Sequence, residues 1–320
     1  MALKNNHQWE QSVNPSLSQQ GVTRKFIYLI NPISGTRKKT ALREMISQRT
    51  SRQNIPFEIL QTDKDGDYSS LEKKIRKDGV TDVIICGGDG TVNSVASQIK
   101  NTGASIGIIP MGSGNGLALA AGISKAPSKA LDIIFKGNVS DVDGLFINDR
   151  FSCMLCGIGF DAQVAHDFAK QKRRGFQTYV KVSAINYFKA KPYHFVIKSK
   201  ETSFSADAFF VCIANSNQFG NNFTIAPKAS LTDGLLDIVI LKKMSKLMLP
   251  FSIISQATGI NALQRLTGEI RKKNIIYFQT GELTIQNPGS APLHIDGDPV
   301  ATATEFKIRV IKKAFRLLHP

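Results

Sequence analysis

The amino-acid sequence predicts a two-domain protein of the α/β class, in which a doubly wound parallel sheet is followed by a mainly antiparallel β-sandwich domain. Three observations support this prediction. The chain has 320 residues, about twice the length of a common single domain. Its first part alternates short apolar strands with helices, which is the rhythm of a parallel sheet. From about Val139 the strand signals follow one another directly, which is typical of an antiparallel sandwich or partial barrel.

The domain boundaries follow from these changes of pattern. Residues 1–21 are polar and contain no apolar run, so we expect a flexible leader and neither a signal peptide nor a membrane anchor. The α/β domain is expected over 22–138 and the β-rich domain over 139–302. Basic and apolar residues alternate near the C-terminus, which predicts a strand that returns to the first domain over 303–320.

Apolar runs and amphipathic segments alternate through the first domain. A run that is apolar on both faces, such as Val83, Ile84 and Ile85, indicates a strand buried on both sides. Apolar residues four apart, such as Leu42 and Ile46, indicate the buried face of a helix. In chain order the sequence predicts strand 26–30, a helix around 41–46, strand 57–60, helix 70–77, strand 82–86, helix 92–99, strand 106–109 and helices 117–121 and 127–135.

Strand signals dominate the second domain. The predicted strands are 145–147, 151–155, 193–198, 208–214, 236–241, 275–279 and 283–285, with helical stretches near 162–187 and 246–257. Asn148-Asp149 and Thr280-Gly281 are predicted to be hairpin turns.

Two glycine-rich turns, 87–90 and 112–116, follow predicted strands, and each opens a helix. We name them the first and second glycine turns. Ligands bind at the carboxyl ends of strands in an open α/β sheet, and glycine allows close approach to the backbone. The N–H groups of such turns and of helix N-termini bind anions. We therefore expect a phosphate site, with Thr91 as a helix N-cap and Ser113 offering its hydroxyl.

Asp89 is the unusual member of the first glycine turn. A carboxylate among phosphate-binding N–H groups repels phosphate unless a cation lies between them, which indicates Mg²⁺ or a proton to be taken from an acceptor. A turn residue that merely holds the loop is the structural alternative. The second turn is not the dinucleotide pattern Gly-x-Gly-x-x-Gly, and the chain contains no P-loop motif.

The chain carries 41 Lys+Arg against 25 Asp+Glu, a formal net charge of +16. This excess predicts an anionic partner: nucleic acid, a negatively charged membrane surface or a phosphorylated substrate. Residues 168–200, here called the basic segment, contain nine Lys/Arg, no acidic residue and interleaved aromatic side chains. A solvated helical face and an interfacial surface for anionic lipid both fit this segment.

Four scattered cysteines favour a reducing, intracellular setting. The Cys153-x-x-Cys156 spacing has no second pair, and in a single strand the two sulfurs would face opposite sides. We interpret both as buried structural residues. For His294, a contact to substrate and a packing role are both open.

Five motifs occur in one order between about residues 24 and 316. They are Asn31-Pro32-x-Ser34-Gly35, Gly87-Gly88-Asp89-Gly90-Thr91-Val92-Asn93, Pro110-Met111-Gly112-Ser113-Gly114-Asn115-Gly116-Leu117-Ala118, Gly159-Phe160-Asp161-Ala162 and His294-Ile295-Asp296-Gly297-Asp298. Together they resemble the lipid kinase family that includes bacterial diacylglycerol kinases and the sphingosine and ceramide kinases. The resemblance implies a nucleotide domain of the NAD kinase and phosphofructokinase kind, followed by a lipid-binding domain.

By this resemblance the first domain binds ATP with the help of Mg²⁺. The residues expected to hold the nucleotide are Asn31, Pro32, Ile33, Ser34, Gly35, Thr62, Gly87, Gly88, Asp89, Gly90, Thr91, Val92, Asn93 and Ser113. The family places a Mg²⁺ at an Asp-Gly pair after an Ile-Ala-Pro stretch, here 225–227. The expected ligands are Asp233 and the backbone carbonyls of Ser230 and Leu235.

Asp296 is the expected general base, because a carboxylate can accept the hydroxyl proton of the acceptor while the γ-phosphate transfers in line. Asp89 competes for this role, since one carboxylate can hold Mg²⁺ while the other orients the alcohol. A hairpin-turn residue is the structural alternative for Asp296. The family usually reads Asp-Gly-Glu where this chain has Asp-Gly-Asp, which leaves the contact of Asp298 open.

The leading hypothesis is therefore a cytoplasmic, peripherally membrane-associated kinase that phosphorylates the hydroxyl of diacylglycerol or a related glycerolipid or sphingoid lipid. The second glycine turn is closer to sphingosine and ceramide kinases, whereas Gln163 stands where sphingosine kinases offer an acid, so the lipid stays open.

The sequence leaves three other hypotheses. An NAD kinase shares Gly-Gly-Asp-Gly-Thr, but a downstream Asn-Glu pair for the NAD ribose is missing from the sequence. A basic nucleic-acid-binding protein fits the net charge, but the chain has no RNA or DNA motif, so no nucleic-acid partner is expected. A lipid-binding protein without catalysis fits poorly, because every acidic motif residue is present.

Overall fold

The structure, a computed structural model, describes residues 23–32, 39–171, 175–220, 223–242, 270–272 and 274–320. The predictions for the leader 1–21, for Ile33, Ser34 and Gly35, and for a helix at 246–257 lie outside the described residues. The chain divides into two compact units. One runs through Asp143 and includes Lys312–Pro320, and the other is Gly144–Ile311. The predicted fold class is confirmed, and each unit is described in turn.

The first unit is a parallel sheet with helical crossovers. Its elements are β1 (Phe26–Ile30), α1 (Lys39–Arg52), β2 (Phe57–Gln61), α2 (Ser69–Asp78), β3 (Asp82–Gly87), α3 (Asp89–Ile99), β4 (Ser105–Pro110), α4 (Gly116–Ala120) and α5 (Pro127–Lys136). The strands are ordered β2-β1-β3-β4, and all of these pairs are parallel. Because β1, β3 and β4 are buried along their whole length, they have the continuous apolar character that the sequence shows.

The register of this sheet brings the carboxyl ends of its strands together. Ile30 at the end of β1 is paired with Gln61 of β2 and with Cys86 of β3, and Cys86 is paired with Ile109 of β4. The loops that follow these strands therefore lie along one edge. These loops contain both glycine turns, and this edge is where an open α/β sheet binds its ligand.

The second unit is built mainly from antiparallel strands. Its elements are β5 (Val139–Ile147), β6 (Arg150–Ser152), β7 (Leu155–Gly159), α6 (Phe160–Ala169), α7 (Phe176–Lys189), β8 (Tyr193–Ser199), β9 (Ser203–Ala214), β10 (Gln218–Gly220), β11 (Phe223–Thr224), β12 (Leu236–Lys242), β13 (Ile270–Lys272), β14 (Ile275–Thr280), β15 (Glu282–Gln286), β16 (Leu293–Ile295), β17 (Asp298–Val300) and β18 (Glu305–Leu318). Strand β5 begins, and strand β18 ends, in the first unit, where the end of β18 pairs parallel with β4.

Strand β9 organises the second unit because it pairs with three neighbours. Its first half pairs with β8, its second half with β7, and its other edge with β12. The path β13-β14-β12-β9-β8-β15-β18 forms one layer, and β7 continues through β16 to β17. Buried side chains from these strands form one apolar core, which fixes the position of the β16–β17 hairpin.

Three local predictions need correction. The strand expected over 151–155 is two strands, β6 and β7, because residues 153 and 154 turn their N–H groups toward a carboxylate. The helical stretch expected over 162–187 is two helices, α6 and α7. Thr280-Gly281 is not a hairpin turn, because β14 pairs with β12 and β13 whereas β15 pairs with β8 and β18. Asn148-Asp149 is the turn of the β5–β6 hairpin, as predicted.

Within the described part of the chain, no helix combines the length and the apolar character needed to cross a membrane.

Candidate active site

The two glycine turns touch through their backbones. A Cβ atom built at Gly88 would lie 3.0 Å from the Cα of Gly112, and one built at Gly112 would lie 2.5 Å from the Cα of Gly88. The Met111 N–H also donates to the Gly87 carbonyl at 2.8 Å. A side chain at position 112 would therefore force the two turns apart, and one at position 88 would be tightly packed against Gly112. The two predicted turns form one surface of backbone groups.

Asn31 joins the end of β1 to this surface. Its backbone N–H donates to the Cys86 carbonyl at 3.1 Å, and its side-chain amide donates to the Thr91 hydroxyl at 2.9 Å. The Thr62 N–H donates to the Ile30 carbonyl at 3.2 Å, which places Thr62 at the same edge. The structure thus brings together the described residues predicted from the first glycine turn and from the strand ends.

The helix after the first glycine turn begins earlier than expected. Helix α3 starts at Asp89, and the extended Gly88 occupies its N-cap position. Thr91 is therefore not the N-cap, and it lies in the first turn, where its hydroxyl accepts the Asn31 hydrogen bond. Asp89 also lies in this turn, where the helix dipole favours a negative charge and the N–H groups have no partner within the helix.

Asn115 holds the second glycine turn in shape. Its backbone is left-handed, with φ of 55°. Its side-chain oxygen accepts the Gly112 N–H at 2.8 Å, and its amide donates to the Gly112 carbonyl at 2.7 Å. The preceding Ser113 is exposed. In the sequence Asn115 stands out only as part of a motif. Asparagine tolerates left-handed backbone, and this property is the signal that could have predicted its role in shaping the second glycine turn.

Lys39 is a cation that the sequence analysis did not single out. It opens α1, four residues after Gly35 of the predicted nucleotide loop, and it is partly buried. Burial lowers the pKa of Lys39, and its interaction with Cys86 at the end of β3 opposes that shift. A lysine at this edge can supply positive charge for a phosphate group.

In the second unit, Asp296 lies in a tight hairpin turn. Ile295 and Asp298 pair across the β16–β17 hairpin, so Asp296 and Gly297 form a two-residue loop. Both have positive φ, 50° and 86°, which is the type I′ turn favoured by Asp-Gly. The turn explains the Asp-Gly sequence and fixes the direction of the Asp296 side chain.

The Asp296 carboxylate accepts hydrogen bonds from the segment between β6 and β7. Its Oδ1 atom accepts from the Ser152 hydroxyl at 2.7 Å, the Met154 N–H at 3.1 Å and the Leu155 N–H at 2.9 Å. Its Oδ2 atom accepts from the Cys153 N–H at 3.2 Å and lies 3.6 Å from the Cys153 thiol. Oδ2 has the fewer and longer contacts, so it is the oxygen better able to accept a proton.

Two opposing effects set the proton affinity of Asp296. Burial raises the pKa of this carboxyl above its ordinary value, and the Leu155 N–H and the Ser152 hydroxyl act in the lowering direction. The balance is a raised pKa in a side chain that is almost fully buried. A raised carboxyl pKa is a property expected of a general base that works near neutral pH.

The predicted metal ligands lie in one short loop before β12. The Asp233 side chain is exposed and accepts the Leu235 N–H at 3.0 Å, and Gly234 between them has a φ of 70°. The Ser230 hydroxyl accepts the Thr232 N–H at 3.3 Å. One carboxylate and two carbonyls are hard oxygen donors of the kind that Mg²⁺ takes, with water completing its coordination, so these residues fit that ion.

Other predicted residues have plain structural surroundings. The Gln163 amide donates to Asp167 within α6 at 3.2 Å. Asp298 is exposed at the start of β17. Cys153 and Cys156 are both buried, as expected, but they do not share a strand, since Cys156 lies in β7 and Cys153 precedes it.

Helix α7 carries an unusual surface within the basic segment. Val180, Ile185 and Phe188 are exposed by 44%, 47% and 72%. Lys181 and Lys189 are exposed on the same helix, whereas its opposite side is buried. We call the exposed side the α7 face. It combines apolar side chains with positive charge.

Two family models divide the chain between them. The diacylglycerol kinase catalytic domain matches residues 25–147, and the YegS C-terminal NAD kinase beta sandwich-like domain matches residues 155–319. The first match covers both glycine turns and the second covers the Asp296 turn. Together with this arrangement they define the class of protein, which is a lipid kinase.

Curated relatives of the chain are also named as lipid kinases. A probable lipid kinase YegS-like protein of Shewanella frigidimarina is 28% identical over 250 residues, covering 76% of this chain and 78% of that protein. A probable lipid kinase YegS of Salmonella typhimurium is 28% identical over 276 residues, covering 84% and 88%. The chain belongs to the family of YegS-like lipid kinases with a diacylglycerol kinase catalytic domain.

Solved structures share the fold. A putative diacylglycerol kinase from Bacillus anthracis superposes with a TM-score of 0.75 at 18% identity, covering 93% of this chain and 97% of that one. A second structure of a Bacillus anthracis diacylglycerol kinase gives 0.69 at 18% identity with the same coverage.

Proposed function

We propose that the protein transfers the γ-phosphate of ATP to the hydroxyl of a membrane lipid, a diacylglycerol or a related glycerolipid or sphingoid lipid, with Asp296 as general base. One observation carries this proposal. A buried carboxyl with a raised pKa is presented on a rigid type I′ turn, and one of its oxygens can still accept a proton.

The first unit is proposed to hold the nucleotide. The two glycine turns, Asn31, Pro32, Thr62 and the first turn of α3 from Asp89 to Asn93 lie at one sheet edge. The N–H groups of the glycine turns and of the first turn of α3 suit phosphate oxygens. Ile33, Ser34 and Gly35 continue this set by the family resemblance. Ser113 offers an exposed hydroxyl, and Lys39 supplies positive charge.

The proposed reaction needs little covalent chemistry from the protein. The lipid hydroxyl loses its proton to Asp296 Oδ2, its oxygen forms a bond to the γ-phosphorus, and the bond to the β-phosphate oxygen breaks to release ADP. Mg²⁺, when bound with ATP, neutralises charge on the phosphates, and Asp89 is the carboxylate proposed to hold it. A second Mg²⁺ at Asp233, Ser230 and Leu235 would support the loop before β12.

The lipid is proposed to be reached at an anionic membrane surface through the α7 face. Apolar side chains next to lysines, with no acidic residue in the basic segment, suit insertion at a negatively charged interface. The proposed enzyme is therefore cytoplasmic, with peripheral membrane association.

A lipid panel tests the proposed function. Purified protein, ATP and Mg²⁺ are mixed with vesicles containing diacylglycerol, monoacylglycerol, sphingosine, ceramide or phosphatidylglycerol, with NAD⁺ as a further acceptor. We expect a phosphorylated lipid and no phosphorylated NAD⁺. Asp296→Asn should abolish the product, whereas Asp149→Asn, at an exposed turn, should keep it. Activity in Asp296→Asn would refute the base assignment, and a phosphorylated NAD⁺ without lipid product would refute the proposed substrate class.

A further inference from the structure

Two side-chain amide oxygens in the residues that follow β9 are not used by the fold. Asn217 Oδ1 and Gln218 Oε1 are buried, and among the described residues no donor lies within hydrogen-bond distance of either oxygen. Gln218 is 8% exposed, whereas Asn217 is partly exposed. We call these two side chains the amide pair. They lie at the boundary between the interior of the second unit and the solvent.

Buried acceptors without donors destabilise the folded state. An oxygen that gives up its hydrogen bonds to water and gains none from the protein costs stability. Leucine or methionine would fill similar space without this cost, yet positions 217 and 218 both carry amides. Most buried polar groups in folded proteins have partners, so two neighbouring exceptions point to a bound group that supplies the donors.

Backbone contacts place the amide pair beside the β16–β17 turn. The two residues before Asn217 donate their N–H groups to the Met154 carbonyl, at 2.8 and 3.1 Å. The Met154 N–H donates in turn to Asp296 Oδ1 at 3.1 Å. Met154 therefore joins the amide pair to the turn that carries the acidic residues of the site, and all of these residues belong to the second unit.

Hydrogen bonds hold the backbone of the amide pair. The Gln218 N–H donates to the Ser216 hydroxyl at 3.3 Å, and the Asn217 carbonyl accepts the Ile225 N–H at 3.3 Å. Gln218 is also paired with Thr224 across the β10–β11 hairpin. The main chain is thus fixed while both side-chain oxygens lack a donor, which is the arrangement of a preorganised binding group.

We propose that Asn217 and Gln218 bind a hydrogen-bond donor of the lipid other than the hydroxyl that is phosphorylated. An amide oxygen accepts and does not donate, so its partner must carry an O–H or N–H group. Diacylglycerol has a single hydroxyl, the one that receives the phosphate, whereas monoacylglycerol, sphingosine, ceramide and phosphatidylglycerol each carry a further donor. The acceptor is therefore a lipid with at least two donors.

This inference rests on the proposed transfer to a lipid hydroxyl, and it holds for either carboxylate of the β16–β17 turn as the base. A lipid without the second donor would leave the amide oxygens unpaired in the complex as well. A site built to hydrogen-bond a hydroxyl rejects an analogue that lacks it much more strongly than an apolar pocket rejects a missing methylene.

Two lipids that differ only in this donor provide the test. Monooctanoylglycerol, acylated at one end of the glycerol, is compared with the same molecule carrying a methyl ether at its middle hydroxyl. Both keep the terminal hydroxyl that receives the phosphate. With ATP and Mg²⁺, we expect kcat/KM of the wild type to be about tenfold or more higher for the unmethylated lipid, because the ether cannot donate to the amide oxygens.

Substitutions show whether the amide pair causes this preference. Asn217→Leu combined with Gln218→Met, here called the amide-deleted variant, removes both oxygens and keeps similar volume, so the preference should disappear. Gln218→Glu keeps an acceptor and should keep the preference. Gln53→Met, at an exposed glutamine in the turn after α1, is the matched control and should behave like the wild type. An equal preference in the amide-deleted variant, or none in the wild type, would overturn the proposal.

Thermal unfolding gives a readout that does not depend on activity. Without lipid, the amide-deleted variant should be as stable as the wild type or more stable, because two unpaired acceptors are gone. A marked loss of stability would show that the protein itself uses these oxygens. Monooctanoylglycerol should raise Tm of the wild type but not of the amide-deleted variant. A rise caused by Mg²⁺ alone and lost in that variant would assign the oxygens to a cation and overturn the proposal.

The two levels of inference fail differently. Binding of monooctanoylglycerol that depends on the amide pair, without any phosphorylated lipid, would refute the proposed function and leave the amide pair as a lipid-binding group. Phosphorylation of both lipids at equal rates by the wild type would refute the amide pair alone.

Discussion

At the scale of single residues, Asp296 is a buried carboxylate whose negative charge is stabilised by hydrogen-bond donors. Burial disfavours its charge, and three backbone N–H groups with one hydroxyl compensate for that cost. Removal of one donor should change the proton affinity of the carboxyl without removing the carboxyl itself.

Ser152→Ala tests this balance. The Ser152 hydroxyl lowers the pKa of Asp296, so its loss should raise that pKa further. The ionised form is the base, and we therefore expect the acidic limb of kcat/KM against pH to move to higher pH. The effect should be about one pH unit, the usual size for loss of one hydrogen bond to a charged group. Ser105→Ala, at a buried serine of β4, is the control and should leave the limb in place. An unchanged limb in Ser152→Ala would argue against Asp296 as base.

Gly112→Ala tests the contact between the glycine turns. The added Cβ atom would lie 2.5 Å from the Gly88 Cα, so the two turns would have to separate. We expect ATP binding, measured by calorimetry, to weaken about tenfold or more, while binding to lipid vesicles stays the same. Gly79→Ala is not a suitable control because of its positive φ, whereas Gly281→Ala has ordinary backbone and free space. Unchanged ATP affinity in Gly112→Ala would contradict the proposed nucleotide site.

At the scale of elements, strand β12 contains a buried acid that the sequence did not reveal. Asp237 is fully buried and accepts hydrogen bonds from Tyr277 and Gln279 of β14. Burial raises the pKa of Asp237 to about 6, against its ordinary 3.8, and the Tyr277 hydrogen bond opposes the shift. The folded state thus binds this proton more tightly than the unfolded chain does.

The stability of the folded chain should therefore depend on pH. Tighter proton binding by Asp237 in the folded state adds to the free energy of unfolding. This contribution is fully present below about pH 4 and is lost as the pH rises through about 6. Asp237→Asn should avoid that loss, so its advantage over the wild type in the free energy of unfolding should grow from pH 4 to pH 7, by about 3 kcal/mol at most. Denaturant unfolding without divalent cations measures it, and Asp149→Asn is the exposed control. A constant difference across this range would show that Asp237 does not titrate in this way.

The same scale shows what the sequence could and could not predict. The strands of the first unit were predictable because Val83, Ile84 and Ile85 are buried on both faces and so form an uninterrupted apolar run. The break between β6 and β7 was not, because it depends on Asp296, more than 140 residues away in the chain. Likewise Gly157 looked like an ordinary strand glycine, but a Cβ atom there would lie 2.0 Å from Asp161 Oδ2 and 2.3 Å from His294 Nε2, on two separate elements. Local pattern predicts elements, whereas contacts between distant segments build the site.

At the scale of the whole molecule, the location of the basic residues shows which kind of anionic partner the net charge of +16 favours. In the proposed function the glycine turns hold phosphate mainly through backbone N–H groups, which need no excess of basic side chains. The basic segment, in contrast, places lysines beside exposed Val180, Ile185 and Phe188 on α7. Charge alone would attract any polyanion, whereas apolar side chains next to it favour a surface with an apolar interior, which a membrane has and nucleic acid lacks.

Two charge-reversed variants distinguish these possibilities. One variant combines Lys181→Glu and Lys189→Glu on the α7 face with Lys191→Glu, two residues beyond the helix. The other combines Lys73→Glu, Lys77→Glu and Lys129→Glu, which change exposed lysines of the first unit by the same total charge. Sedimentation with vesicles of phosphatidylglycerol and phosphatidylcholine measures binding.

We expect the α7 variant to lose binding by about 100-fold, since each lysine near an anionic surface contributes about 1 kcal/mol, and the control to lose much less. Phe188→Ala alone should weaken binding to vesicles at high salt, where charge is screened and apolar contact remains. ATP affinity should be unchanged in all of these variants. Equal losses in the two charge-reversed variants would mean that the total charge, and not the α7 face, determines membrane binding.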